Sequence, residues 1–535
     1  MKTIRIISIL TIVLLLMNCN SYNKSNNYPE NQMDESGVVY DKMDNSYQES
    51  KKIEGEISHS DSLVKPEMNT EEYDRIYENP FVSPLTNPLS TFSIDVDRAS
   101  YANVRRFLNN NELPNPDAVR IEEMINYFDY SYPQPIGEEP FSVSLEAGVC
   151  PWNTEHNLVS IGLKGKDIEV DNIPASNLVF LLDVSGSMDE PKKLPLLKQS
   201  FKVLMEKLRP KDRVAIVVYA GAAGVVLPST SCDNKEKIIA AFEKLQAGGS
   251  TAGGEGIDLA YKIAKENFIA KGNNRVILAT DGDFNVGQSS DASLVRQIES
   301  KRDDGIFLTI LGFGMGNYKD SKMEKLSNAG NGNYAYIDNI LEAKKTLGKE
   351  IWGTLFTIAK DVKIQVEFNP SQVKAYRLVG YENRMLAAED FNDDKKDAGD
   401  IGAGHTVTAI YEIIPASSPE TIKGVDALEY QNSKVVSSDN LMTLKLRYKE
   451  PDGTVSKLIT SRIKESEIKK NELSENFNFA TSVIEFGLLL RKSEYKASSN
   501  YKQVLQRAKK AKGADEDGFR AEFIKLVEIA EVLSK

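Results

Sequence analysis

The sequence predicts an α/β domain with a doubly wound, mostly parallel sheet that is inserted in a mainly antiparallel β-domain and followed by C-terminal helices. Three patterns support this prediction. Between residues 173 and 357, unbroken apolar runs alternate with stretches of helical spacing, as expected for strands that are buried on both faces of a parallel sheet. On both sides of that region, apolar and polar residues alternate, which is typical of half-buried antiparallel strands. Beyond residue 475, apolar residues recur at helical spacing.

Composition and charge exclude several classes of protein. The chain has 535 residues, of which 41% are apolar and 27% are charged, which is an ordinary globular composition. Asp and Glu (78) outnumber Lys and Arg (66), and the resulting charge of −12 argues against a nucleic-acid partner. Three cysteines and three histidines are too few for a disulfide framework or a Cys/His zinc module. A metal site in this chain would therefore use oxygen ligands.

Residues 1–18 are typical of a signal peptide. Two basic residues precede an apolar run at 6–17, which is shorter than the roughly 20 residues of a membrane-spanning helix. Cys19 follows this run after Asn18, and its position resembles the lipobox of bacterial lipoproteins, although a smaller residue is usual where Asn18 stands. We therefore expect cleavage before Cys19 and lipidation of that cysteine. A plain signal peptide that is cut elsewhere is the alternative.

Residues 19–90 are polar and show no apolar period, so we expect a flexible linker there. Residues 91–135 begin with a short alternating stretch and continue with two stretches of helical spacing. Within them, we expect Asp95 and Asp97 to end a strand and to cap the following helix. The alternating strands place the β-domain at residues 138–170 and 358–465.

The C-terminal segment, residues 470–535, is expected to be helical. Its last part carries one apolar stripe at helical spacing, formed by Phe519, Phe523, Leu526, Val527, Ala530 and Leu533. We expect this helix to pack on the chain's own β-domain, with a partner-binding helix as the alternative. Cys150 and Cys232 could pair in an exported chain, but their spacing does not require it, and we favour two separate buried thiols.

Polar residues follow two of the buried strands in the central unit. The first strand ends at Asp183, which is followed by Val184-Ser185-Gly186-Ser187, and a later strand ends at Thr280-Asp281-Gly282. A glycine-rich loop between helices contains Thr251. Ligands of doubly wound sheets bind beyond the carboxyl ends of the strands. We therefore expect these side chains to gather at one edge of the sheet, with Gly186 permitting the turn.

This combination resembles the metal-ion-dependent adhesion site of von Willebrand factor type A (VWA) domains. The five positions of that motif are occupied by Asp183, Ser185, Ser187, Thr251 and Asp281. Residues 91–130 and 368–413 also look like the N-terminal and C-terminal parts of a bacterial lipoprotein family that contains such domains. The resemblance implies a Rossmann-like VWA domain at residues 173–357.

The resemblance also implies a divalent cation that is held by those five side chains. Oxygen ligands favour Mg²⁺, with Mn²⁺ or Ca²⁺ as alternatives. Three of the ligands are neutral hydroxyls, which cancel little of the cation's charge, and the family pattern implies that one or both aspartates act through water. The ion is then expected to keep an open position, which an Asp or Glu of a partner protein can fill. We expect Asp283, Asn285 and the glycines at 253, 254 and 282 to shape the rim. The structural alternative makes Ser185 and Ser187 helix caps and Asp183 a buried acid bonded to backbone amides.

We therefore expect a non-enzymatic protein of the bacterial cell envelope that binds a partner protein through this metal. A Mg²⁺-dependent hydrolase is one alternative, but residues 173–357 contain no His, no Gly-x-Ser-x-Gly and no Gly-Lys-Ser/Thr loop. A structural envelope protein whose metal only stabilises loops is another. The N-terminal lipid is expected to contact the outer membrane, with the protein facing the periplasm. The sequence does not identify the protein partner.

Overall fold

The computed structural model describes residues 71–249, 253–282, 284, 291–315, 319–422 and 435–535. The predicted signal peptide, the lipidation at Cys19 and most of the predicted linker lie outside the described residues.

Strands and helices alternate along the described chain. The strands are β1 (Leu89–Ser93), β2 (Phe141–Val149), β3 (Asn157–Gly165), β4 (Ser176–Asp183), β5 (Arg213–Tyr219), β6 (Ala223–Ser231), β7 (Asn273–Thr280), β8 (Ile306–Phe313), β9 (Tyr334–Ile337), β10 (Thr357–Phe368), β11 (Val373–Val379), β12 (Met385–Leu386), β13 (Gly399–Gly402), β14 (Thr406–Pro415), β15 (Asn440–Lys449), β16 (Lys457–Lys464) and β17 (Ile468–Lys469). The α-helices are α1 (Ala99–Asn109), α2 (Ile121–Asn126), α3 (Leu194–Lys207), α4 (Lys235–Glu243), α5 (Gly253–Glu266), α6 (Asp291–Asp303), α7 (Asp320–Ala329), α8 (Ile340–Ala343), α9 (Ile351–Leu355), α10 (Glu475–Arg491), α11 (Tyr501–Lys510) and α12 (Phe519–Leu533). A π-helical segment, Lys344–Lys349, separates α8 from α9.

The central domain is built on one sheet with the strand order β6-β5-β4-β7-β8-β9. All neighbours in it are parallel except β6, which pairs antiparallel with β5 at the edge. Every residue of β4 and β7 is buried, because apolar cores cover both faces of the sheet, and this explains their unbroken apolar runs. The strand order reverses between β4 and β7, where folds of this type bind ligands. The predicted doubly wound fold is confirmed.

The β-domain consists of two sheets that face each other across an apolar core. One has the order β12-β1-β10-β15-β16, with β13 also paired to β10, and the other has the order β11-β14-β3-β2-β17. Their pairs are antiparallel except β2 with β17. Because β3 precedes the central domain and β10 follows it, the central domain is inserted in the β-domain, as predicted. β1, from the segment predicted to be mainly helical, pairs with β10 and so belongs to this β-domain.

Residues 71–88 pack on the folded chain, which corrects the predicted flexible linker in its last part. Glu71 forms an ion pair of 2.8 Å with the buried Arg106. Val82 and Tyr376 exchange two backbone hydrogen bonds of 3.0 Å. The sequence does not reveal this packing, because each anchor is a single residue with its own partner and no periodic pattern results.

Asp95 and Asp97 serve a different purpose from the predicted helix cap. The N-cap position of α1 is held by Arg98, without a side-chain capping bond. Asp97 instead accepts a hydrogen bond of 2.9 Å from the backbone N–H of Tyr334. Arg384 contacts Asp95 at 3.2 Å and Asp97 at 3.3 Å. Asp97 therefore ties the segment after β1 to the start of β9, and both aspartates tie it to Arg384.

The C-terminal helices share one apolar core with α1 and α2, to which Val379 and Ile410 of the β-domain also contribute. Within this core, α12 packs on α1 and α11. The predicted apolar stripe therefore faces other helices more than it faces a β-sheet. None of the helices in the described part of the chain combines the length and the apolar character that crossing a bilayer requires.

Cys150 and Cys232 are both free and buried. They lie in different apolar cores, which agrees with two separate thiols. Burial, together with the nearby Asp212 carboxylate, raises the pKa of the Cys232 thiol to about 12. The thiol is therefore protonated and unreactive at neutral pH.

His405 gives the fold a measurable pH dependence. Its Nε2 lies 2.8 Å from Nη2 of Arg98, and because a guanidinium can only donate, the imidazole accepts and is neutral. Burial, and then the charge of Arg98, lower the pKa of His405 to about 3, with Lys345 acting in the same direction and Glu350 and Asp129 opposing it.

We expect acidification to destabilise the wild-type protein more than His405→Gln, which keeps an acceptor for Arg98. In the unfolded chain the imidazole takes up a proton below about pH 6.5, whereas in the folded chain it stays neutral. The contribution of the neutral His405 side chain to the free energy of unfolding is complete well above pH 6.5 and is lost as the pH falls from there toward 3. Urea unfolding should show the wild type losing about 1.7 kcal/mol of unfolding free energy relative to His405→Gln between pH 6.5 and pH 5. If the difference in unfolding free energy between the wild type and His405→Gln does not change with pH, the assignment of a neutral, buried His405 is wrong.

Candidate metal-binding site at the ends of β4 and β7

The Asp-x-Ser-x-Ser segment begins where β4 ends. Asp183 is the last residue of that strand and is fully buried. Its Oδ1 accepts a hydrogen bond of 2.9 Å from the backbone N–H of Ser185, which turns the chain away from the strand direction. The hydroxyl oxygens of Ser185 and Ser187 then lie 3.0 Å apart. Neighbouring ligands of an octahedral Mg²⁺, each about 2.1 Å from the ion, are also about 3.0 Å apart, so this spacing suits that cation.

Backbone hydrogen bonds hold this loop against its neighbours. The N–H of Val184 donates to the carbonyl of Tyr219 at 3.1 Å, at the end of β5. The loop before α5 is joined by two further bonds, from Gly248 N–H to the carbonyl of Val184 at 2.7 Å and from Gly186 N–H to the carbonyl of Gly249 at 3.1 Å. Thr251, Asp283 and Asn285, which the sequence analysis placed at this site, lie outside the described residues.

Asp183 and Asp281 bring two buried carboxylates to the same edge of the sheet. Asp281 follows the last residue of β7 and is 1% exposed. Burial raises the pKa of Asp183 to about 6; the charge of Asp281 acts in the same direction, and bonds from Ser185 and Tyr219 oppose both. The phenol of Tyr219 donates to Oδ2 of Asp183 at 3.1 Å. Because the two carboxylates repel each other in a buried place, a cation between them would be stabilised.

Lys193 also reaches this site, although the sequence analysis did not single it out. Its Nζ lies 3.2 Å from Oδ2 of Asp281 and 2.8 Å from Oε1 of Glu190, and it donates to the carbonyl of Ser187 at 3.0 Å. The loop after β8 packs on its side chain at Gly314, where φ is +80° and a Cβ would collide with Lys193. In the sequence it is one lysine among many, and only its burial marks it.

The short helical turn Gly186–Asp189 tests the alternative that Ser185 and Ser187 are only helix caps. Ser185 occupies the N-cap position of this turn and makes no side-chain capping bond. Instead, the hydroxyl groups of Ser185 and Ser187 face each other. The capping interpretation therefore does not account for Ser185, although Asp183 does accept a backbone amide as that interpretation expected.

Comparison with known proteins assigns the family. The family model of the von Willebrand factor type A domain matches residues 177–348. A model described as von Willebrand factor matches 67–160, and one described as uncharacterized protein YfbK, C-terminal, matches 353–533. The uncharacterized protein YfbK of Escherichia coli is 44% identical over 473 residues, which cover 86% of this chain and 81% of that protein. The chain belongs to the YfbK family.

Other proteins are similar over smaller parts of this YfbK-family chain. The uncharacterized protein sll0103 of Synechocystis is 28% identical over 207 residues, which cover 38% of this chain and 46% of that protein. A solved structure of a von Willebrand factor type A protein from Catenulispora acidiphila is 17% identical with a TM-score of 0.41, covering 74% of this chain and 91% of that one. VWA domains are typically protein-interaction modules, are generally non-enzymatic and commonly bind a metal ion at the site described above.

The donor set of the YfbK-family site fits a hard cation held partly by neutral groups. Within the described residues, no three His, Cys, Asp or Glu side chains converge in a way that could hold a metal. Any ion at the ends of β4 and β7 would therefore rely on hydroxyl oxygens and water in addition to the two carboxylates. Such a set suits Mg²⁺, which retains several waters in proteins.

Proposed function

We propose that this protein binds a partner protein by coordinating one of its Asp or Glu side chains through a divalent cation, Mg²⁺ in the first place, with Mn²⁺ or Ca²⁺ as alternatives. The ligands on this chain would be Asp183, Ser185, Ser187, Thr251 and Asp281. The observation that carries the proposal is a pair of hydroxyl oxygens 3.0 Å apart beside two buried carboxylates at the reversal of strand order. Because hydroxyls are neutral, the bound ion would stay positive enough to attract a further carboxylate.

Two ionisable side chains that contact the proposed carboxylate ligands, Lys193 and Tyr219, do not suit the role of a general base. A metal-dependent hydrolase usually adds a general base to the metal-bound water. Burial lowers the pKa of Lys193, but Glu190 and Asp281 raise it by more, so that its net pKa is raised and the ammonium keeps its proton. Burial, and then the charge of Asp183, raise the pKa of Tyr219 well above the ordinary value. Neither side chain is therefore suited to accept a proton near neutral pH.

We also propose that lipidation of Cys19 anchors the protein to the outer membrane, facing the periplasm. The support is the signal-like segment 1–18 that ends directly before this cysteine. The partner would then be another protein of the cell envelope. Mass spectrometry of the mature N-terminus tests the anchor directly.

Chemical crosslinking in intact cells tests the binding proposal. We expect the wild-type chain to form adducts with one or more envelope proteins, and Asp183→Ala to lose them, because the cation would no longer be held. Capture of the same proteins from envelope extracts should be lost with EDTA. Adducts of equal yield in both chains would instead favour a structural role in which the metal only stabilises loops.

Lys193→Met should bind Mg²⁺ more tightly than the wild type, by about tenfold. The ammonium lies 3.2 Å from an oxygen of Asp281, where it competes with a cation for that oxygen and repels it. Calorimetric titration of the full-length chain measures the change, and Lys193→Arg, which keeps the charge, is the control. Weaker binding by Lys193→Met would show that the lysine organises the site and does not oppose the ion.

A further inference from the structure

A second site is suggested by a cavity of about 460 Å³ between the VWA sheet and the β-domain. It is lined by residues from the middle of β7 and β8, by the segment before β9, by the π-helical segment with α9, and by the turn between β13 and β14. Asp183, Ser185, Ser187 and Asp281 do not line it, so it is a separate place in the fold from the proposed metal site. Cavities of about 300–1,000 Å³ between domains are common places for small molecules to bind.

Arg275 of β7 lines this cavity and is 3% exposed. Its Nη1 donates to Oγ1 of Thr309 at 2.6 Å, and its Cζ lies 5.5 Å from the centre of the Phe307 ring. Its Nε has no hydrogen-bond partner, and the guanidinium forms no ion pair with any carboxylate of the described residues. Burying a guanidinium without a counter-charge is costly, so a carboxylate from outside the chain would complete this group.

The other cationic groups that line the cavity are paired within the chain. Arg98 forms an ion pair with Glu350. Lys164 lies 3.2 Å from Asp167, and Lys349 lies 3.0 Å from Asp129. Arg275 thus differs from its neighbours in the same cavity, and this difference indicates where a ligand's negative charge would bind.

Asp400 is a lining residue that acts on Arg275 only at longer range. Its carboxylate is occupied by neutral donors: Nδ2 of Asn331 at 3.2 Å, the hydroxyl of Thr357 at 3.4 Å and the backbone N–H of Asp361 at 3.2 Å. Burial lowers the pKa of Arg275 to about 10, and the charge of Asp400 opposes this effect. Burial raises the pKa of Asp400 to about 7. Near neutral pH the cavity therefore presents a positive group and a partly ionised acid that are not in contact with each other.

We propose that this cavity binds a small organic molecule through a carboxylate that pairs with the guanidinium of Arg275. An N–H group of the guanidinium donates to the carboxylate, while Thr309 and Phe307 hold the guanidinium in position. The ligand is either a plain carboxylic acid or an amino acid whose ammonium group is attracted to Asp400. This site goes beyond the proposed metal-dependent binding and does not depend on it.

Thermal unfolding of the full-length chain with two probes tests the proposal. Glutarate and L-glutamate share two carboxylates and differ in one amino group, so they distinguish the two ligand classes. We expect at least one probe to raise the Tm of the wild type by about 3 °C or more at saturation, and to leave that of Arg275→Gln unchanged. Arg213→Gln is the matched control, because Arg213 also bonds to neutral oxygens, those of Ser229, but lies outside the cavity; it should respond like the wild type.

Native mass spectrometry of the chain purified from its own cells provides a second readout. A small carboxylic acid released from the wild type but not from Arg275→Gln supports the site. If neither probe shifts the Tm and no such molecule is released, the cavity holds only water and the proposal is wrong. An equal Tm shift in Arg275→Gln would also overturn it.

Arg275→Met separates ligand binding from a role in folding. Because the guanidinium is buried without a counter-charge, methionine should leave the Tm of the ligand-free protein equal or higher, while the response to the probe is lost. A large fall of the Tm in both Arg275 variants without ligand would assign the guanidinium to the fold and overturn the proposal. Asp183→Asn should keep the probe response, which makes failure of this site distinguishable from failure of the metal site.

Discussion

Asp183→Asn should reduce Mg²⁺ binding by the full-length protein at least about 100-fold, which corresponds to about 2.7 kcal/mol. The substitution keeps the shape of the side chain and an oxygen that can accept the N–H of Ser185, but it removes one of the two negative charges at the site. Since the remaining donors in the described part of the site are Asp281 and two hydroxyls, one carboxylate would have to balance a divalent ion. Calorimetric titration of Mg²⁺ measures the loss.

Asp189→Asn is the matched control for this experiment. Asp189 lies on the same loop and is exposed, so its replacement removes an equal charge from the surface without touching the site. We expect its Mg²⁺ affinity to stay within about twofold of the wild type, because exposed charges are screened by salt. Equal affinities for Asp183→Asn and the wild type would refute the metal site.

Arg105→Met should lower the free energy of unfolding by about 3–5 kcal/mol. Arg105 lies on α1 with its side chain 1% exposed and pairs with Asp338, with Glu342 at 2.7 Å and with Glu522 at 3.0 Å. Its Nη1 also donates to the phenol of Tyr127 at 3.0 Å. Without the guanidinium, Asp338 and Glu342 would be buried carboxylates with no counter-charge from α1. The midpoint of urea unfolding measures the loss.

Arg302→Met provides the comparison for Arg105→Met. Arg302 pairs with Asp303 at 3.1 Å and with Asp397 at 3.0 Å, but these carboxylates are 70% and 55% exposed. Ion pairs of this kind contribute less than about 1 kcal/mol. Similar losses for the two variants would mean that the Arg105 cluster does not join the VWA domain to the helices around it.

The ion pairs of Arg105 join the VWA domain to other parts of the chain. Its partners lie after β9, on α8 and on α12, so one buried cation joins α1, the VWA domain and the C-terminal helices. Arg120, at the start of α2, similarly pairs with Asp320 and Glu324 of α7. The VWA domain is therefore held to the rest of the chain by buried charges as well as by its two connections to the β-domain.

Much of the central domain was predictable because its signals are local. Strands that are buried on both faces consist of unbroken apolar runs, and β4 and β7 were therefore recognisable, with their polar residues directly after them. The division of the helical stretch between residues 340 and 355 was not recognisable. The structure divides it into α8, a π-helical segment and α9, and the apolar spacing alone does not reveal such a break.

By itself, the sequence determined the doubly wound sheet, the insertion of that sheet in a β-domain and the positions of Asp183, Ser185, Ser187 and Asp281 at its edge. Only the tertiary structure placed Lys193 against Asp281, Arg275 in a cavity without an ion-pair partner among the described residues, and Glu71 on Arg106. The physical reason is that periodic burial produces a pattern of apolar residues along consecutive positions, which can be recognised in the sequence. The environment of a single charge depends instead on segments that are far apart in the chain and meet only on folding.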